Sequence, residues 1–396
     1  MKGIITISIL TLSLMVGCRE KKQSTDDFIT VDVTASYPKK ELILQDFLDV
    51  EYIMLETNDK FITSASPQAV DRDVLLMKDL NRVDYGNIFI FSRNGKGLEK
   101  INRLGQGGEE YTNVLGVVLD DKNGEIFVNS HLSKKVLVYD LLGTFKRSFK
   151  HKDGVFYNRI GDFDQNYLIC HDGYFEINEP ESKKNYFLLI SKKDGSIKEI
   201  QIPYSEQKLP MLMERNANGE AIYCIYNEPQ IPNHGDWILV EPSSDTIYTY
   251  SRDQILKPFI VRTPSVQLMN PEVFLFPGVI TDRYYFMQTV KKEFDFAKVT
   301  GFPSVDLIYD RQANAIFECV VYNSDYTDKK SMSLVYQIPI PPVIVNNGEI
   351  AFMTRLEAPE LVEAYEAGKL KGQLKEIAAL LNEDSNPVIM LAKYKK

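Results

Sequence analysis

Apolar residues along this chain come in short bursts rather than helical stripes. The runs Asn87–Ser92 (NIFIFS), Glu125–Asn129 (EIFVN), Lys135–Tyr139 (KVLVY), Tyr167–Cys170 (YLIC), Tyr186–Ser191 (YFLLIS) and Trp237–Val240 (WILV) are rich in β-branched and aromatic residues. Each has the length of a single buried strand. Between such runs stand polar breakers such as Asp121-Lys-Asn-Gly124, Asp140-Leu-Leu-Gly143 and Asp194-Gly195. These place glycine where a tight hairpin turn needs a positive φ. The pattern predicts an all-β chain of consecutive antiparallel hairpins.

The pattern also repeats. The segments 125–149, 186–202, 237–259 and 304–322 each read as a strand, a polar turn and a second strand. Repeats of four strands are the sequence form of propeller blades, which run about 40–50 residues each. Length alone leaves six to eight blades open.

After residue 358 the period changes. Pro359 suits the first helical turn, and Glu360 and Glu363 sit near its positive end. Leu370, Leu374, Ile377 and Leu381 form one apolar stripe, Gly368 is placed to divide the segment in two, and Asn382 to cap its end. This predicts a helical insertion at 358–382, read as a buttress for the ring or, alternatively, a partner-binding helix. A last strand, Val388–Ala392, follows Pro387 and is expected to pair with the N-terminal blade, because propellers close by letting the two chain ends share a blade.

The N-terminus has a different character. Lys2 precedes the uncharged run Ile4–Val16, which is shorter than the about 20 residues of a spanning helix and fits the core of an export signal. The tetrad Met15-Val16-Gly17-Cys18 resembles a bacterial lipobox, with Met15 where leucine is usual. The resemblance implies a signal peptide at 1–17, lipid attachment at Cys18, and anchoring in the cell envelope, with the outer membrane the expected site. Residues 18–28 read as a solvated tether, and 29–396 as one propeller domain. The whole chain has 46 Lys and Arg against 55 Asp and Glu. That balance, with no basic cluster, argues against nucleic-acid binding.

Four segments carry a closer resemblance. They are Tyr52-Ile-Met-Leu-Glu-Thr57, Arg103-Leu-Gly-Gln-Gly-Gly-Glu-Glu-Tyr111, Asp245-Thr-Ile-Tyr248 and Leu381-Asn-Glu-Asp-Ser-Asn-Pro-Val-Ile-Met390. Through them the chain resembles the six-bladed β-propeller lipoproteins of Bacteroides-type bacteria, an NHL-like or TolB-like group of unknown function. It differs at Gly107-Gly-Glu-Glu-Tyr111, where the family usually has Gly-Pro-Gly-Glu-Tyr. The resemblance implies a six-bladed propeller with four-stranded antiparallel blades and an envelope location. It implies no reaction.

Chemistry is sparse by sequence. Gly105-Gln-Gly-Gly lacks the GK[ST] of a phosphate loop and reads as a turn between blades. Asp162-Phe-Asp-Gln-Asn166 begins like a calcium loop but has Tyr167 at the position that needs glycine. His131, His151 and His171 fall at equal intervals without a metal-binding spacing. No cofactor is predicted; an axial divalent metal, as NHL-like and lactonase-like propellers hold, is the alternative. Cys170, Cys224 and Cys319 sit in apolar strand-like contexts and read as buried thiols, although one disulfide among them is open. Two loop-like segments, one with His171, Asp172 and Tyr174 and one with His234 and Trp237, are the candidate ligand contacts, since aromatic side chains in loops can stack on sugars or fill partner pockets. The reading is a monomeric envelope lipoprotein whose propeller face binds a glycan, a peptide or a protein partner without turnover. A metal-dependent hydrolase or lyase on the axis and a scaffold subunit of an outer-membrane assembly are the alternatives.

Overall fold

The computed structural model describes residues 28–79, 86–173, 185–208, 212–216, 218–219, 221–224, 228–335 and 348–395. Cys18 and Tyr174 lie outside them. They form a six-bladed β-propeller.

Blade I is built from Ser66–Val70, Val74–Lys78, Asn87–Ser92 and Gly97–Asn102, paired antiparallel in that order. Blade II follows with Gly116–Asp120, Glu125–Ser130, Lys135–Asp140 and Phe145–Lys150, and blade III with Tyr157–Asp162, Tyr167–Asp172, Phe187–Ser191 and Ile197–Ile200. Blade IV holds Gln230–Asn233, Asp236–Leu239, Thr246–Tyr250 and Leu256–Thr263. Blade V holds Val273–Ile280, Tyr284–Lys291, Ser304–Asp310 and Ala315–Tyr322. Blade VI pairs Ile350–Leu356, Val388–Tyr394 and Leu48–Met54. The first strands of blades I and II, II and III, IV and V, V and VI, and VI and I lie against one another around the axis.

The strands read as nearly continuous apolar runs because both faces of each blade are covered. In blade II, Ile126 and Val128 face the core shared with blade I, while Phe127 faces the core shared with blade III. Successive side chains thus serve two different cores, as the period of two requires.

The last strand closes the ring as expected. Val388–Tyr394 runs antiparallel to Leu48–Met54, with Tyr52 opposite Met390. Two of the family-like segments meet here. The Asn386 side chain donates to Glu56 O and accepts from Thr63 N, while its backbone N–H donates to Thr57 Oγ1. Tyr52 OH donates to Asp325 and accepts from Asn323.

One feature departs from a chain of simple hairpins. Ile29–Asp32 adds as a parallel strand to the outer edge of blade IV, and Lys39–Ile43 adds in parallel to blade V. The N-terminal segment thereby clasps blades IV, V and VI in succession. The helical insertion is two helices, Ala358–Glu366 and Gly372–Ala378, with Gly368 between them at φ +67°. Leu370 and Leu374 are buried in the core shared by blades IV to VI. Asn382 lies beyond the second helix rather than capping it; its side chain accepts from Asp384 N in a local turn. Among the described residues no helix is long and apolar enough to cross a membrane.

Candidate functional site at the axial mouth

In blades I to V the turn between the first and second strands projects to the same end of the axis. Each turn has its own local cause. In blade I, Asp71 Oδ1 accepts from the N–H groups of Asp73 and Val74, leaving Arg72 at the tip. In blade II, Asp120 holds both the backbone and side-chain nitrogen of Asn123, and Gly124 takes φ +61°. Blade III uses Asp164, whose carboxylate accepts from Asn166 N and Tyr167 N. This accounts for the calcium-like spacing as turn chemistry. In blade IV, His234 and Gly235 both have positive φ, +49° and +94°, the two-residue hairpin geometry that leaves the imidazole exposed.

These turns surround a cavity of about 1290 Å³ that continues down the axis to Leu115, Asn158 and Arg159. Its rim mixes both charge signs. Lys192 is buried between blades II and III, with Nζ 2.6 Å from Asp120 and 2.6 Å from Asp162. Burial raises the pKa of the Asp162 carboxyl, and the Lys192 charge opposes that. The Asp121 pKa is also raised, first by burial and then by the hydrogen bond its protonated form donates to the neighbouring Asp71. Arg283 pairs with Asp310 at 3.2 Å, and Arg252 donates to Gly235 O. The His234 ring lies against Tyr394, centroids 4.1 Å apart.

Deeper, Arg159 Nε donates to Glu228 Oε1 at 2.7 Å. The Glu228 carboxyl is fully buried and its pKa is raised by that burial. Lys78, at the far end of blade I, is pushed down to about 8 by burial and then by the Arg159 charge.

The sequence model matches the family described as Domain of unknown function (DUF4934) across residues 28–393. The chain belongs to that family. Of solved structures, the DUF4934 chain is similar to a presumed exported protein from Bacteroides fragilis NCTC 9343, at 14% identity and a TM-score of 0.58, covering 94% of this chain and 100% of that one. A member of another family of unknown function, DUF4221, from Bacteroides vulgatus ATCC 8482 matches at 10% identity and a TM-score of 0.41, covering 89% and 99%. Virginiamycin B lyase from Staphylococcus aureus matches at 12% identity and a TM-score of 0.31, covering 70% and 94%. No protein of curated function matches the DUF4934 sequence. A shared propeller fold brings no reaction with it.

Of the candidate ligand contacts read from the sequence, His234 alone among the described residues is at the mouth. His171 and Asp172 end the second strand of blade III, away from the cavity. His171 stacks on Tyr186, and the Asp172 carboxylate accepts from Phe156 N. Trp237 is 0% exposed, in the core between blades III and IV. Its flanking Asn-His-Gly-Asp turn is short, so the indole already belongs to the strand. His131 and His151 likewise lie against Phe156 and Tyr157. Among the described residues no three His, Cys, Asp or Glu side chains are grouped to hold a metal. Cys170 and Cys319 are buried free thiols; the Cys224 side chain lies outside the described residues.

Sequence reasoning missed Arg72, Lys122, Arg159 and Arg283. A signal was present: Asp71-Arg72 and Asp121-Lys122 directly follow the first strands of blades I and II, and Asp282-Arg283 follows that of blade V one residue later. Seeing it requires knowing where each blade begins.

Proposed function

We propose that this protein is an envelope-anchored binding protein that takes a glycan or peptide into the axial mouth without turning it over. The observation that carries the reading is the cavity itself. At about 1290 Å³ it exceeds the roughly 300–1,000 Å³ that suits drug-sized ligands, so it suits an oligomer. Its rim offers donors, acceptors and the His234–Tyr394 ring pair, a combination that suits hydroxyl-rich or peptide ligands. Anchoring through Cys18 supports an envelope role and is tested by radiolabelled fatty-acid incorporation, which Cys18→Ala should abolish.

Gly116 gives a clean test of the cavity. It lies on the channel wall in the first strand of blade II, and a Cβ added there would meet nothing within 4 Å. Gly116→Leu should leave the melting temperature within a few degrees of wild type while weakening any glycan or peptide found by thermal-shift screening. A ligand that binds Gly116→Leu as tightly as wild type would place the site elsewhere.

A further inference from the structure

The end of the ring opposite the mouth has its own surface character. In an antiparallel blade, the connections from second to third strand and from one blade to the next return to that end. Among the described residues, six exposed aliphatic side chains stand on those connections. They are Ile62 before blade I, Leu104 after it, Leu132 in blade II, Leu268 between blades IV and V, Val299 in blade V and Leu380 in blade VI. Leu142 and Ile255 stand on turns between third and fourth strands, and the first turns that form the mouth carry no such residue among those described. Single exposed aliphatics are ordinary on a folded surface, but their concentration on one set of connections is not.

Two of the six are held outward by their surroundings. In blade V the second-to-third-strand hairpin is prolonged by a short ribbon, Phe294–Asp295 against Thr300–Gly301, with Phe294 packed on Phe296 and Phe302. At its tip Val299 is 74% exposed with φ +52°, a left-handed conformation that β-branched residues rarely adopt. Exposed Lys298 precedes it. Across the ring, in blade II, exposed Leu132 is followed by Lys134 and Lys135, and the last strand brings Lys150 and Lys152 alongside. Lys135 and Lys150 are direct cross-strand partners, a like-charge pairing that costs stability. Lys146 and Arg147, further along the same strand, are paired with Asp140 and Glu125, whereas these four lysines are in no ion pair among the described residues.

Apolar points spread over blades that stand opposite one another in the ring suit a wide, flat partner rather than a peptide in a groove. Aliphatic side chains flanked by lysines are the chemistry of a lipid interface, where the apolar group enters and the ammonium reaches the phosphates. The anchor can bring the two together. The last strand of blade IV runs toward this end, where Thr263 lies opposite Asp32, and Ile29 is three residues back, about 10 Å. Residues 19–27, which follow Cys18, span about 30 Å when extended. A lipid on Cys18 therefore reaches the plane of this end. We propose that the end opposite the mouth rests on an anionic lipid surface, with Leu132, Leu268 and Val299 seated among the headgroups and the axial mouth facing away from the membrane. This rests on the reading of the chain as envelope-anchored, and it adds the orientation.

The test is tryptophan fluorescence of the full chain, purified from envelopes and reconstituted in vesicles of phosphatidylethanolamine and phosphatidylglycerol, with and without brominated acyl chains. The one native tryptophan, Trp237, is buried and gives the baseline. Leu132→Trp and Val299→Trp should each lose about half or more of the added emission in brominated vesicles, because a side chain seated about 5–10 Å into the interface meets the brominated chains. Leu268→Trp stands in for Val299→Trp if the hairpin does not tolerate the indole. Leu142→Trp, at the mouth end of blade II and as exposed as Val299, should keep its emission. That variant also controls for the indole's own affinity for interfaces. Flotation of wild type and Cys18→Ala with the vesicles comes first. If wild type floats, Cys18→Ala does not, and neither Leu132→Trp nor Val299→Trp is quenched, the orientation is overturned and the anchored reading stands. Quenching of Leu142→Trp, alone or with the others, also overturns the orientation. Quenching of only one of Leu132→Trp and Val299→Trp shows a molecule resting on one edge, and overturns it as well. A wild-type chain that stays behind in flotation overturns the anchoring and the orientation together.

Discussion

At the scale of single residues, burial of polar groups sets the behaviour that can be measured most directly. Glu241 follows the second strand of blade IV and is 4% exposed, with Oε1 accepting from Ser243 N at 3.0 Å. Burial raises its pKa from 4.5 to about 7, and the bonds from Ser243 oppose that only in part. The folded state therefore binds a proton more tightly than the unfolded state. This contribution to stability is complete below about pH 4.5 and is lost as pH rises through about 7. At 1.36 kcal/mol per unit, it amounts to on the order of 3 kcal/mol. Glu241→Gln should remove this component, so that the variant gains on the wild type between pH 5 and 8. Denaturant melts at both ends of that range check it; parallel pH profiles for the two proteins would show that Glu241 does not titrate there.

At the scale of elements, the glycine-rich segment Arg103–Tyr111 shows how a motif can carry structure instead of ligand chemistry. Tyr111 is buried, and its OH donates to Gly86 O at 2.6 Å and accepts from Arg103 N at 2.8 Å. The Arg103 guanidinium reaches across to Gly143 O in the next blade. A Cβ added at Gly105 would run into the Glu110 carboxylate, which accepts from Gly107 N and would have to swing aside. The loop is a strut between blades I and II. Tyr111→Phe keeps the ring and strands the Arg103 N–H and the Gly86 carbonyl, which should cost about 1–3 kcal/mol in chemical denaturation. A change below a few tenths of that would mean water replaces the hydroxyl. The turn character of this segment was legible from its composition. That it bolts two blades together was not, because Gly86 and Gly143 are distant in sequence.

At the scale of the whole molecule, closure is a two-part device. Val388–Tyr394 joins the ends of the chain within blade VI, and the segment from Ile29 to Ile43 covers the outer edges of blades IV and V. Val31 and Leu42 carry that segment into the core, and Lys40 pairs with Asp310 at 2.7 Å. Burying each aliphatic side chain is worth about 1.5–3 kcal/mol. Removing residues 28–43 should therefore cost several kcal/mol and expose two strand edges. A lowered melting temperature with concentration-dependent aggregation is the expected outcome. An unchanged melting temperature would show that the clasp is dispensable for stability.

The sequence by itself determined the class of architecture, an all-β chain of blade-like repeats, while the blade count and the N-terminal clasp came with the fold. Strand-length apolar bursts, Asp and Gly turns and the switch of period after residue 358 are local signals, and local signals set element type. The closing strand was also legible, because a ring of repeats leaves one place for the last element. What only the tertiary structure decided is which residues meet. Trp237 and His171 carry ligand-like chemistry in a one-dimensional reading, yet two-sided burial places them in cores between blades or against buried rings. The mouth instead assembles from turns about 40 residues or more apart, whose side chains converge because each blade presents the same end to the axis. Arg159 stands on blade III and Glu228 just before the first strand of blade IV, so their pairing is a product of blade packing and left no trace in spacing.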